Sequence, residues 1–449
     1  MSARPIAYVN ARLVDPASGW DGLGDLLTSE GVIADVRRGG GFDALSPDVQ
    51  IVDCSGAVLA PGLIDLRVKT GEPGAEPKET LKSAGRAAAA GGVTSIVVQP
   101  DTDPVVDEPA TVDFILRRAR DIELVHVYPA GAATRGCRGE RISELGLMHE
   151  AGAVYFTDVD RPIADSRVFR RVLSYARGFD ALVSHRPADP HLTAGACATE
   201  GEFASRLGLP ATPAVAERIM LERDLALAEL TGARLLVDQV TTADALAALQ
   251  RARGLGVQAT ATASINHLTF NELDVGDYRT FFRLDPPLRE EDDRQALIEA
   301  VASGLVGVVV SAHAPAPAED KRLPFAEAAP GAIGLETLLP ALLSLHHEGR
   351  ASLIDLLRTV TLAPADLLGL AAGRLAPGAP ADLVLFDPDA PVVIDAARLR
   401  SKSKNSPFDG RRLQGRVLTT VVDGRVIHQA AIDDQRRVSP AGTSPHSPG

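Results

Sequence analysis

A strand-like run, Leu63-Ile64-Asp65-Leu66-Arg67-Val68-Lys69, ends in two cations two residues apart. Residues at that spacing in an extended strand point to the same side, so Arg67 and Lys69 project together. Neither side chain offers a lone pair, and together they repel a divalent cation at close range. The chemistry left to the pair is ion pairing, or proton transfer by Lys69 if the neighbouring guanidinium depresses its pKa. Two further runs end in titratable groups, Phe156-Thr157-Asp158 and Ser184-His185-Arg186-Pro187-Ala188-Asp189. A lone histidine at a strand end is more often a hydrogen-bonded core residue than a ligand, and one Asp with one His does not make a tight zinc site. His126, His149, His191, His267, His346 and His347 have no metal-ligand spacing and read as structural or surface residues. There is no Gly-x-Ser-x-Gly nucleophile motif. The basic clusters Arg117-Arg118 and Lys402-Ser403-Lys404 lack interleaved aromatics and read as solvated faces.

The elements that must position these groups alternate. Between roughly residues 60 and 370, short β-branched runs are separated by Ala/Leu/Arg-rich segments, the pattern of repeated βα units and a parallel sheet. Eight runs stand out: 63–68, 95–99, 124–128, 153–156, 181–184, 234–237, 257–261 and 306–310. They predict a (β/α)8 barrel, with Arg67 and Lys69 at the C-terminal mouth where such barrels place chemistry. The alternating segments 6–14 and 32–37 have counterparts at 381–386 and 416–424, so both termini are expected to build a small β-sandwich around the barrel. The expected organisation is 1–58 for the first part of the sandwich, 59–371 for the barrel, 372–432 for the second part, and a disordered tail at 433–449, rich in Ser, Pro, Gly and Arg.

Composition narrows the function classes. The 449 residues, 45% hydrophobic, are enough for a large core. A net charge of −13 without like-charge blocks argues against nucleic acid or an anionic membrane as the main partner. Cys54, Cys137 and Cys197 are widely spaced without a CxxC pattern and read as three buried, inert thiols. No apolar run reaches spanning length and the N-terminus has no signal-like core, so a cytoplasmic protein is expected.

The first run lies between Ala60-Pro61-Gly62 and Glu72-Pro73-Gly74, and the whole stretch resembles the opening strand of cyclic amidohydrolases, dihydroorotases most closely. That family carries His-x-His where Arg67 and Lys69 stand. The resemblance extends from about residue 58 through 425 and implies an amidohydrolase-type barrel. It also implies that Asp158 corresponds to a bridging metal ligand and His185 to a histidine ligand. Gln239 stands where the family has a third histidine. In Ser311-Ala312-His313-Ala314-Pro315-Ala316, Ala312 replaces the family's metal-binding, proton-moving aspartate, and Ala316 replaces a substrate-holding histidine. Gly71 replaces a substrate arginine, and Asp101 and Asp285 replace asparagines, changes expected to repel a carboxylate substrate. Ala328–Thr337 resembles a family loop and helix start, read equally well as a loop leading into a packed helix.

Only Asp158 and His185 remain of the metal ligands, so no metal and no cofactor are expected. Asp158, with Asp189 as a further candidate, is expected to neutralise Arg67 or Lys69 and fill the vacated space. Family chemistry needs a metal to activate water and an aspartate to move protons. The pattern therefore resembles the inactive dihydroorotase-like proteins that accompany aspartate transcarbamoylase, a likeness carried also by Ala263–Leu268, Asp277–Phe282 and Lys321–Phe325. It implies a non-catalytic assembly partner of the transcarbamoylase catalytic chain in a hetero-oligomer of pyrimidine biosynthesis. The alternative is a cyclic amide hydrolase with altered, metal-poor chemistry using Asp158 and His185, with zinc if that reading holds and Lys69 as base or electrostatic stabiliser.

Overall fold

The computed structural model describes residues 4–42 and 45–430. The expected tail at 433–449 lies outside the described residues. Eight staves form the barrel: β1 (Leu63–Val68), β2 (Val93–Val98), β3 (His126–Pro129, continued by Gly131–Ala132), β4 (Phe156–Thr157), β5 (Leu182–His185), β6 (Arg234–Val237), β7 (Ala259–Ser264) and β8 (Val308–Val310). Neighbours pair in parallel throughout. The ring closes where Val68 bridges His313 and the Lys69 N–H donates to the His313 carbonyl at 2.8 Å. Every expected run overlaps one of these staves.

Most staves are buried on both faces and read as near-continuous apolar runs, while His126–Tyr128 of β3 are only half-buried. Ile64, Leu66, Val97, Tyr155, Leu182, Leu236, Val308 and Val310, drawn from six staves or the residues flanking them, pack together. The Tyr155 hydroxyl crosses this layer, donating to the Leu66 carbonyl at 2.5 Å and accepting from Gln99 Nε2 at 2.8 Å. Several helices start where the sequence supplies a side-chain cap. Thr80 and Ser83 form a capping box for Leu81–Ala90, Asp165 caps Ser166–Arg177, and Thr242 caps Ala243–Gly254.

Both ends of the chain build one eight-stranded sheet. Ile6–Asp15 pairs with Trp20–Ser29 and with Val58–Pro61, and Val58–Pro61 pairs antiparallel with Leu383–Val393. Tyr8, Leu13, Leu26 and Ile33 from the first part share a core with Leu383, Leu385 and Val421 from the second, the interior of the sandwich. No helix among the described residues is long and apolar enough to cross a membrane.

Candidate functional site

The barrel mouth encloses a cavity of about 430 Å³, bordered by Arg67, Lys69, Asp101, Asp160, Asp285 and Ala316 among others. The pairing of β1 with β2 slips between Asp65 and Val68, an irregularity of the kind that re-aims side chains. Arg67 leaves β1 there and is buried. Its Nε donates to Asp238 Oδ2 at 2.7 Å and its Nη2 to Asp160 Oδ1 at 2.6 Å. With the Gln239 amide oxygen facing the guanidinium, it accepts from Nη2 and Nε at 3.1 Å each. Lys69 donates to Asp160 and pairs with Asp101 at 2.7 Å. Arg186 pairs with both Asp285 oxygens and approaches Asp160 at 3.5 Å.

These seven side chains form one network of three cations and four carboxylates, leaving a single negative charge over. Burial weighs against the charge on Lys69, but Asp101 and Asp160 outweigh it and raise its pKa. Lys69 is therefore an ammonium, not a base, and the expected depression is corrected by its two carboxylate partners. Burial likewise opposes the Asp160 charge, yet Lys69, Arg67 and Arg186 hold its carboxyl well below the ordinary range. Asp285 is lowered in the same way by Arg186. Asp101 and Asp285 are thus not loose carboxylates poised to repel a substrate. Each is matched to a cation.

Sequence reasoning chose the wrong partners for Arg67 and Lys69. Asp158 lies away from the network, its two oxygens accepting from the Thr134 N–H at 2.9 Å and from the Thr134 hydroxyl. Burial raises its pKa, against the pull of those hydrogen bonds. Asp189 caps a turn, accepting from the His191 and Leu192 N–H groups. The residues missed were Asp160 and Asp238. Val159, a β-branched residue at φ 56°, separates Asp158 from Asp160 and breaks the extended alternation that would have put those two on one side. A usable signal was charge balance: two inward cations need carboxylates, and Asp160 and Asp238 follow the ends of β4 and β6.

His185 is occupied at both nitrogens. Nε2 accepts the Ile163 N–H at 2.8 Å, and Nδ1 lies 2.6 Å from Asp224 Oδ2 on the helix Val215–Thr231. The first contact uses the Nε2 lone pair, so the proton sits on Nδ1. Gln239 and Ala312 have left-handed backbones, φ 56° and 51°. At Gly71, a Cβ would stand 1.9 Å from the Ala75 carbonyl oxygen, because the Gly71 carbonyl accepts the Ala75 N–H at 2.5 Å. A side chain at 71 does not fit this turn.

The amidohydrolase family model matches residues 197–427, and one described as dihydro-orotase-like matches 56–245. A dihydroorotase of Syntrophus aciditrophicus is 39% identical over 424 residues, covering 94% of this chain and 99% of its own. One of Anaeromyxobacter dehalogenans is 40% identical over 420 residues, covering 93% and 96%. The chain belongs to the dihydroorotase family. Its fold is shared with an L-hydantoinase (dihydropyrimidinase) from Arthrobacter aurescens, with a TM-score of 0.85 at 24% identity over 96% of both chains. A dihydroorotase-type zinc centre does not fit the residues present. Arg67 and Lys69 are charged donors, Ala312 has no ligand atom, and the His185 Nε2 lone pair is already taken by the Ile163 N–H, which leaves Asp158, itself bonded to Thr134, as the one carboxylate of the set.

Proposed function

We propose that this dihydroorotase-family protein does not run the metal-dependent hydrolysis and serves as an assembly partner of aspartate transcarbamoylase in de novo pyrimidine biosynthesis. One observation carries the loss of chemistry: the Arg67 guanidinium is locked between Asp238 and Asp160 at a position where the family places a metal ligand. The partner role is supported by the likeness in segments 277–282 and 321–325. These are held together by Lys321 Nζ donating to the Thr280 and Arg283 carbonyls, and they expose Tyr278 and Leu323. Three buried free thiols accord with a cytoplasmic setting.

Relatedness favours a second reading. The relatives that match almost end to end are named dihydroorotase, and by that likeness alone the chain would open or close a cyclic amide. One co-expression experiment separates the two. The expected result is a complex of this chain with the transcarbamoylase catalytic chain, transcarbamoylase activity that depends on it, and no turnover of dihydroorotate or carbamoyl aspartate. Turnover that Lys69→Met or His185→Ala abolishes, or zinc that is retained in His126→Ala but lost in His185→Ala, would establish the hydrolase reading instead.

A further inference from the structure

At the opposite end of the barrel, three side chains far apart in sequence converge. His126 opens β3, Asp382 precedes the strand Leu383–Val393, and Asp423 sits in the turn between Arg412–Val422 and Arg425–Gln429. His126 Nε2 is 3.1 Å from Asp382 Oδ2 and 3.7 Å from Asp423 Oδ1, and one ligand atom from each residue lies within 4.8 Å of the others. A transition-metal ion about 2.0–2.2 Å from each donor requires donors roughly 3–3.5 Å apart, close to this spacing. The Asp423 N–H donates to Asp382 Oδ1 at 2.9 Å, fixing the buried carboxylate as an outer hydrogen bond fixes a ligand.

Charge points the same way. Among the described residues, neither Asp382 nor Asp423 pairs with a lysine or arginine, and Arg425 alongside turns to Glu123 at 3.6 Å. Two carboxylates therefore share one imidazole. A groove of about 670 Å³, bordered by His126, Tyr128 and Asp423, leaves room for water ligands on the open side.

We propose that His126, Asp382 and Asp423 form a binding site for a divalent transition-metal ion, clamping the barrel floor to the hairpin of the terminal sheet. One imidazole and two carboxylates suit zinc, cobalt or nickel, and the groove supplies the remaining positions. The site is independent of the barrel mouth and of the function proposed for it.

The test uses full-length, tag-free, metal-stripped protein titrated with Co²⁺ by visible absorption and with Zn²⁺ by calorimetry. Saturation at about one equivalent is expected, as a single three-residue site requires. His126→Ala and Asp423→Asn should each weaken binding at least about tenfold, while His185→Ala leaves it unchanged. Zn²⁺ should also raise the thermal midpoint of the wild type and not of Asp423→Asn, whose change lies at a half-buried turn position. Absence of saturation, isotherms unchanged in both variants, or loss of binding only in His185→Ala would each overturn the proposal.

Discussion

Arg67 spends its donors on bonds the chain makes to itself, to Asp238 and Asp160. A buried guanidinium with two carboxylates is strongly context-dependent, because removing one member leaves the others charged and unmatched. Arg67→Ala strands Asp238, which is almost fully buried, and part of Asp160, and should lower stability by about 3–5 kcal/mol in urea denaturation. Arg67→Lys should recover little of this, since an ammonium cannot span both carboxylates as a fork does. Asp160 also contributes to the acid limb. Its folded pKa is depressed, so its contribution is present above the unfolded value of about 3.9 and lost as pH falls below it.

Lys321 runs in the opposite sense. Burial, then Arg283, pushes its pKa down to about 7, and its ammonium bonds only to carbonyl oxygens. The unfolded chain binds this proton up to about pH 10.4, so stability should rise with pH between about 7 and 10.4 from this residue. Lys321→Met should remove that rise, stabilising the protein relative to wild type near pH 7 and much less at pH 10. Thermal midpoints across the window check the sign, and a wild-type curve that falls over this range, with Lys321→Met flat, would contradict it.

At the scale of elements, the staves were legible and the loops between them were not. β-branched runs announced all eight strands because both faces of a barrel strand are covered. Asp158 and His185 were assigned to the mouth by family likeness, but their contacts depend on Thr134, Ile163 and Asp224, which come from other elements and carry no local signal. His126, Asp382 and Asp423 were invisible as a group for the same reason: more than 250 residues separate the first two. The turn at Gly71 shows how an element can foreclose a function. Gly71→Arg puts a Cβ against the Ala75 carbonyl, so it should destabilise the protein by about 1–3 kcal/mol in thermal or urea denaturation while conferring no dihydroorotate turnover. A stable, active variant would mean that the turn rebuilds readily.

In the whole molecule, a family scaffold surrounds a mouth filled by ion pairs. Gln239 and Ala312, which border the mouth, both hold left-handed backbones. Composition and periodicity specified barrel and sandwich because those depend on many redundant apolar positions. The mouth depends on seven charged residues whose pairing is fixed only by the assembled fold.

The terminal sheet has a consequence in time. Val58–Pro61 has a neighbour in Ile6–Asp15 as soon as it emerges, but its other edge waits for Leu383–Val393. At about 5–20 residues per second of synthesis, that edge stays open for on the order of tens of seconds while the barrel is being made. An unpaired apolar edge invites other chains to add to it. Its burial pattern, four buried residues in a row, makes this a segment of the nascent protein in need of protection until the ribosome has delivered the last strands.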